Sequence, residues 1–187
     1  SRFLSILSQP TRLGELLRFL HEAKILEILI PAFEHVRFLL QFNEYHKYTV
    51  DEHSLRAVEK ATELSHGSGL LSEIYRGLKK KWLLHLALLI HDAGKGYVED
   101  HSEVGLRIAG EVAERLGLSE LDTESLKFLV HKHLLMSHTA FRRDIYDPQQ
   151  VLRFAVDVGS PEMLRMLFIL TASDRSAEGR DSALALL

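Results

Sequence analysis

The feature that most constrains this chain is an apolar run that ends in two ionisable residues. Residues 82–90 are apolar apart from His85, and His91 and Asp92 follow directly. Burying a polar group without a partner costs about 2–7 kcal/mol, so a buried His-Asp pair must be hydrogen-bonded or bind a ligand. The sequence therefore predicts a central helix whose end carries His91 and Asp92 into a polar site.

Composition restricts the fold and excludes several functions. With 187 residues, 46% of them hydrophobic, residues 1–187 can form one domain with a substantial core. Cysteine is absent, which excludes disulfides and thiolate metal sites and favours a cytoplasmic protein. A net charge of -3 argues against nucleic-acid binding. The apolar run is shorter than the roughly 20 residues of a membrane span. Because the chain opens without Met and ends in an apolar run, we expect it to be part of a longer multidomain protein.

Helical periodicity dominates the chain, and no alternating strand pattern interrupts it. The pattern predicts an all-α helical bundle, with residues 1–48 as an N-terminal helical and wrapping segment and residues 49–176 as the core. Thr49 with Glu52 matches a capping box, and residues 137–147 form a polar segment. Other helix starts are predicted at Asp100, Ser119, Asp147-Pro148 and Ser160-Pro161.

Ionisable residues also occur on the apolar faces of other predicted helices. His53, His133 and Asp174 each follow an apolar residue by three or four positions. A single histidine in such a position is more often a hydrogen-bonded core residue than a ligand. A divalent metal explains the whole set, which has two parts. One ion would be held by His53, His91, Asp92 and Asp174, and a second by His101 and His133 with Asp92 as a bridge.

The type of ligand restricts the metal and the reaction. Imidazole and carboxylate ligands without thiolate suit Mn, Mg, Fe or Zn, in one or two ions. Two adjacent ions can hold the attacking and leaving oxygens of a phosphoryl displacement. We therefore predict catalytic roles for Asp92 and Lys95, with Lys95 also binding phosphate, although in most chains a lysine in such a turn is simply solvated. Arg142 and Arg143 are further candidates for phosphate binding, although adjacent arginines in a polar segment are equally often solvent-facing.

The spacing of these residues resembles the H…HD…D signature of the HD superfamily of metal-dependent phosphohydrolases. Residues 91–95 resemble its HD-x-G-K core, and His101 and His133 match its binuclear branch. The resemblance implies a helical HD-domain fold. It also implies a metal site built from the residues named above.

A narrower resemblance extends over residues 30–174, in particular residues 48–53, 96–102, 133–137, 142–144 and 170–174. These segments are similar to the HD domain of the bifunctional uridylyltransferase/uridylyl-removing enzymes of bacterial nitrogen control. The resemblance implies Mn or Mg, and hydrolysis of the phosphodiester between UMP and a tyrosine of a PII-type signal protein. It also implies other domains in a longer chain. Ala93 departs from the bulkier aliphatic residue expected there, and the chain lacks a nucleotidyltransferase motif.

Two other functions fit the same residues. An HD phosphohydrolase acting on a free nucleotide would need the same metal ligands, since the metals perform the same chemistry. A non-catalytic regulatory domain could keep the metal for structure. Substitution of Lys95 separates the catalytic and structural alternatives, because a structural metal site should not depend on that residue.

Overall fold

The computed structural model describes residues 2–40, 47–142 and 147–179, without the side chains of residues 141 and 142. These ranges contain helices and no strand, which confirms the prediction of an all-α fold. The helices, in chain order, are α1 (Arg2–Leu7), α2 (Leu13–Glu22), α3 (Ile25–Leu29), α4 (Ala32–Val36), α5 (Val50–Glu63), α6 (Leu70–Gly77), α7 (Lys81–Ile90), α8 (His101–Leu116), α9 (Glu120–His131), α10 (Leu135–Arg142), α11 (Pro148–Val158) and α12 (Pro161–Ala177).

Helix α7 lies at the centre of the bundle. Every residue from Leu83 to Ile90 is buried, as expected for a helix that is apolar on all sides. It packs against α1, α5, α9 and α12. This central position brings the end of α7, where His91 and Asp92 follow, next to helices from distant parts of the chain.

Side-chain caps fix the starts of several helices where the sequence predicts them. The Asp100 carboxylate accepts hydrogen bonds from the backbone N–H groups of Ser102 and Glu103. Ser119, Asp147 and Ser160 cap α9, α11 and α12 in the same way. These bonds satisfy backbone donors that have no partner within the helix. The cap at Asp100 also fixes the first residue of α8, His101.

One local prediction is wrong. Thr49 precedes α5, but its hydroxyl makes no cap hydrogen bond. The capping box does not form because Glu52 instead binds Arg18, at 2.6 Å, and Arg56, at 2.6 Å. The segment that begins at residue 137 was predicted only as polar, and it is helical as far as Arg142, where α10 ends.

The N-terminal helices are joined to α5 by a buried polar cluster. His21 Nε2 lies 3.0 Å from Asp51 Oδ2, and the backbone N–H of Phe38 donates to the same oxygen at 3.1 Å. On its other side, His21 Nδ1 lies 3.1 Å from Glu27 Oε1. His21 and Asp51 are both buried, so the cluster fixes α2 and the end of α4 against α5.

One hydrophobic core includes residues from Phe3 to Ala177. The predicted division at residue 48 stays a proposal. Among the described residues, no helix combines the length and apolar character needed to cross a membrane.

Candidate metal centre

His91 and Asp92 directly follow the last residue of α7. His91 is the C-cap residue, and its Nδ1–H donates to the Leu88 carbonyl oxygen at 2.7 Å. This bond fixes the imidazole so that Nε2 points away from the helix backbone. Nε2 is buried and makes no well-aligned hydrogen bond among the described residues, although carboxylate oxygens of Asp92 and Asp174 lie 3.4 and 3.3 Å from it. An unpartnered nitrogen in the core is costly unless it binds a ligand.

Three helices meet at His91 Nε2. His53, on α5, and His91 have ring centroids 5.3 Å apart. The Nε2 of His91 lies 3.4 Å from Asp92 Oδ2 and 3.3 Å from Asp174 Oδ1, on α12. His53 Nε2 lies 2.8 Å from the same oxygen of Asp174. Ligand atoms of His53, His91 and Asp92 all lie within 4.8 Å of one another. Four predicted ligands of the first ion are therefore neighbours.

A second group of candidate ligands shares Asp92. The ligand atoms of Asp92, His101 and His133 also lie within 4.8 Å of one another. His133 Nε2 lies 3.7 Å from Asp92 Oδ1, and the rings of His101 and His133 have centroids 5.7 Å apart. The two groups therefore meet at one carboxylate, which has one oxygen directed to each.

His133 does not occupy the helical position that periodicity predicts. Helix α9 ends at His131, and His133 lies in the turn that follows. Its Nδ1–H donates to the Val130 carbonyl at 2.7 Å, which directs Nε2 to Asp92. The rings of His91 and His133 are thus oriented in the same way, by a hydrogen bond from Nδ1–H to the carbonyl oxygen three residues earlier.

Charge and burial act against each other in this site. Burial lowers the pKa of His91, but the negative charges of Asp92 and Asp174 outweigh it and raise that pKa to about 9. For His133 burial prevails and lowers its pKa to about 4. Burial raises the pKa of each carboxyl group, Asp92 and Asp174, but neighbouring histidines hold both well below the usual value. The carboxylates therefore remain charged and available to a cation.

The residues present fit a divalent metal. Each group offers imidazole nitrogens and a carboxylate, the donors preferred by Mn, Fe and Zn, and Mg accepts the carboxylates. The buried and unpartnered Nε2 of His91 is what a ligating histidine presents, and the carbonyl bond at its Nδ1 is the usual support for one.

A surface cavity of about 530 Å³ opens over both groups. Asp92, His101, His133 and Asp174 contribute to its wall, together with Lys95. Lys95 Nζ lies 2.7 Å from Asp92 Oδ2. The cavity therefore combines four of the six candidate ligands with a lysine ammonium group.

The glycine before Lys95 permits close packing of the turn. A Cβ at Gly94 would lie 2.1 Å from the His101 carbonyl oxygen and 2.8 Å from the Gly105 nitrogen. The turn after α7 therefore packs directly on the first turn of α8. This contact holds Lys95 and His101 in one wall of the cavity.

The side chains of two predicted site residues lie outside the described structure, and two residues that were not predicted line the cavity. The side chain of Arg142 and all of Arg143 lie outside the described residues, so their phosphate-binding roles stay predictions. Tyr97 and Glu178 line the cavity, although neither is among the predicted site residues. For Tyr97 a signal existed, since it follows Lys95 by two positions. Glu178 carried no signal, because only the packing of α12 brings it there.

Comparison with known proteins agrees with this site. The HD domain profile matches residues 50–178, which include all six candidate ligands. A bifunctional uridylyltransferase/uridylyl-removing enzyme of Ruegeria pomeroyi is 41% identical over 177 residues, covering 92% of this chain and 20% of that enzyme. The enzyme of the same name from Zymomonas mobilis is 37% identical over 182 residues, covering 95% of this chain and 20% of its own. This chain thus spans about one fifth of the length of these relatives. It belongs to the HD domain family, which is part of a superfamily of metal-dependent hydrolases.

Proposed function

We propose that this chain is a metal-dependent phosphodiesterase that removes UMP from a uridylylated tyrosine of a PII-type signal protein. The observation that supports it most is that Asp92 belongs to both groups of candidate ligands, at the wall of an open cavity. A carboxylate with one oxygen near each of two histidine groups is a suitable bridge between two ions.

The candidate ligands divide between the two ions. His53, His91, Asp92 and Asp174 would hold one, and Asp92, His101 and His133 would hold the other. Mn or Mg is favoured by the resemblance, and Fe or Zn also accept these donors. The ions, when bound, would supply Lewis acidity toward the phosphate and activate water at neutral pH.

Lys95 would add a positive charge to the site beside the ions. In the structure its ammonium group lies 2.7 Å from Asp92 Oδ2, within the same cavity wall. A phosphate oxygen bound in the cavity would offer it a second anionic partner, and this contact would stabilise charge that develops on the phosphorus oxygens. The leaving tyrosinate needs no strong general acid, because the pKa of tyrosine is about 10.

The proposed substrate, uridylylated PII protein, is supported by the similarity of this chain to two uridylyl-removing enzymes. Both relatives carry a name that includes uridylyl-removing activity, and the similarity to them covers more than nine tenths of this chain. Since the chain spans only one fifth of their length, the PII-type partner and the other domains of a longer chain are part of the proposal. Arg142 and Arg143 remain proposed contacts to phosphate.

Release of UMP from uridylylated PII protein, measured with added Mn²⁺ or Mg²⁺ and after chelation, tests the proposal. We expect hydrolysis that depends on the metal and is lost in Asp92→Asn, together with a lower metal content. Glu103→Gln is the matched control, because Glu103 binds His131 at the surface of α8 and α9. Activity without metal, or full activity of Asp92→Asn, would overturn the mechanism.

The two alternatives give different results in the same assay. A free-nucleotide hydrolase would cleave cyclic dinucleotides or guanosine polyphosphates and leave uridylylated PII intact. A structural metal domain would bind metal and cleave none of these substrates. A panel of free nucleotides tested beside uridylylated PII therefore separates the three functions.

A further inference from the structure

Tyr97 forms an aromatic platform at the edge of the cavity. Its ring stacks on His35, with centroids 4.0 Å apart and planes tilted by 32°. Tyr97 lines the cavity that contains Lys95 and the candidate ligands, whereas His35 does not. One face of the phenol ring is thus covered by His35, and 38% of the residue remains exposed.

The platform is held by close packing on the N-terminal segment. Gly96 has φ of +87°, and a Cβ there would lie 2.7 Å from Leu39 Cδ2 and 3.0 Å from His35 Nε2. The turn therefore approaches the end of α4 more closely than another residue would allow. That end is itself fixed to α5, since the Phe38 N–H donates to Asp51. Contacts with the N-terminal segment therefore hold Tyr97 in a fixed position.

Charge divides the cavity into two parts. Near Asp92 the wall contains four of the six candidate metal ligands and the Lys95 ammonium group, which suit a phosphate. The wall also contains Glu99 and Asp100, which follow Tyr97 in the chain, are exposed and repel an anion. A ligand with a phosphate and an uncharged planar ring fits this arrangement, with the ring over Tyr97.

We infer that Tyr97 stacks the nucleobase of the substrate and so determines specificity for a nucleotidyl group over a simple phosphodiester. This rests on the proposed function, which places a nucleotide phosphate at the metal centre. Stacking on an aromatic side chain contributes about 1–3 kcal/mol per base, equivalent to a five- to 150-fold effect on affinity. It needs only the π-face of the base, so Phe and Trp should replace Tyr97.

Product binding tests this inference separately from hydrolysis. Dissociation constants for UMP and ribose 5-phosphate would be measured on the full chain with Mn²⁺, by calorimetry, for the unmodified protein and for Tyr97→Ala, Tyr97→Phe and Tyr97→Trp. We expect UMP to bind about tenfold more tightly than ribose 5-phosphate, and this preference to disappear only in Tyr97→Ala.

Other outcomes overturn the inference. An unmodified protein that binds both ligands equally, or a preference that survives in Tyr97→Ala, would show that Tyr97 does not contact the base. Phenyl phosphate tests the tyrosyl ring of the protein substrate: if Tyr97→Ala weakens phenyl phosphate instead of UMP, the platform holds that ring. Failure of the proposed function would show as absent hydrolysis of uridylylated tyrosine, whatever the UMP preference.

Discussion

His53 and Asp174 are separated by 121 positions in the chain, yet His53 Nε2 lies 2.8 Å from Asp174 Oδ1. This pair joins α5 to α12 at the point where α7 ends. Helices α5 and α12 pack closely along their length, so the contact is a consequence of the bundle. The same carboxylate oxygen lies 3.3 Å from His91 Nε2. The site therefore contains residues of both α5 and α12, which are far apart in the chain.

Replacing Lys95 with Met should reduce turnover without loss of metal. The substitution keeps most of the apolar stem and removes a charge 2.7 Å from Asp92 Oδ2. Loss of one electrostatic contact to the transition state typically lowers kcat about 100-fold. Metal affinity should stay equal or increase, because a competing cation is gone. Kinetics on uridylylated PII and metal titration measure the two effects.

Lys127→Met is the control for Lys95, since Lys127 pairs with Glu124 on the surface of α9. It should leave both activity and metal binding unchanged. Unaltered kcat in Lys95→Met would remove Lys95 from the mechanism and favour a structural role for the metal.

Two glycine substitutions should change stability in opposite directions. Gly94→Ala would place a Cβ 2.1 Å from the His101 carbonyl, a backbone atom with little room to move. Overpacking of this kind costs about 1–3 kcal/mol, and the displacement of His101 should weaken the second group of ligands. In Gly110→Ala, within α8, the nearest atom is 3.7 Å from the new Cβ, so the helix should gain about 0.5–1 kcal/mol. Urea unfolding and metal stoichiometry give both results, and equal stability of the two variants would contradict the packing argument.

Asp51→Ala should lower the free energy of unfolding by about 2–4 kcal/mol. The substitution leaves His21 Nε2 and the Phe38 N–H without their buried acceptor. The N-terminal helices should loosen before the core does, which hydrogen exchange on α2 and α4 would detect. Glu15→Gln, in an exposed pair with Arg12, is the control and should have no measurable effect. Uniform exchange across all helices would count against a local role for Asp51.

His85 should make the stability of the fold depend on pH. Its Nδ1–H donates to the Leu7 carbonyl at 2.7 Å, and the Tyr75 hydroxyl donates to Nε2 at 2.9 Å. Burial is the main cause that lowers the pKa of His85, to about 4 from the unfolded value of 6.5. Because the folded pKa is the lower one, this contribution is complete above pH 6.5. It is lost as the pH falls to 4, by about 3 kcal/mol in total.

The double variant Tyr75→Phe/His85→Leu removes that titration and keeps the other histidines. Urea unfolding between pH 7 and pH 4 should show a smaller loss of stability in the variant than in the unmodified protein. His91 and His133 titrate in both proteins, so their effects cancel in the difference. Parallel pH profiles would show that His85 is not the group responsible.

The sequence predicts that several histidines lie in the core, but it predicts neither the burial of His21 nor what each histidine does. His85 and His91 belong to the same apolar stretch, and both are buried. His85 has partners at both ring nitrogens, whereas His91 has one at Nδ1 and none at Nε2 among the described residues. Periodicity cannot separate these cases, since the partners of His85 come from α1 and α6. Periodicity also predicts a helical position for His133, which instead lies in the turn after α9, where its Nδ1–H donates to the Val130 carbonyl.

By itself the sequence determined the all-α architecture, the apolar centre of α7 and the residue types available to a metal. These are local properties, set by periodicity, capping side chains and the cost of burying polar groups. The tertiary structure decided that Asp92 directs one oxygen to each of two histidine groups. It also placed Lys95 against Asp92 and put His35 under Tyr97. Such relationships depend on how helices far apart in the chain pack against each other, and packing follows from side-chain shape across the whole core rather than from any local pattern.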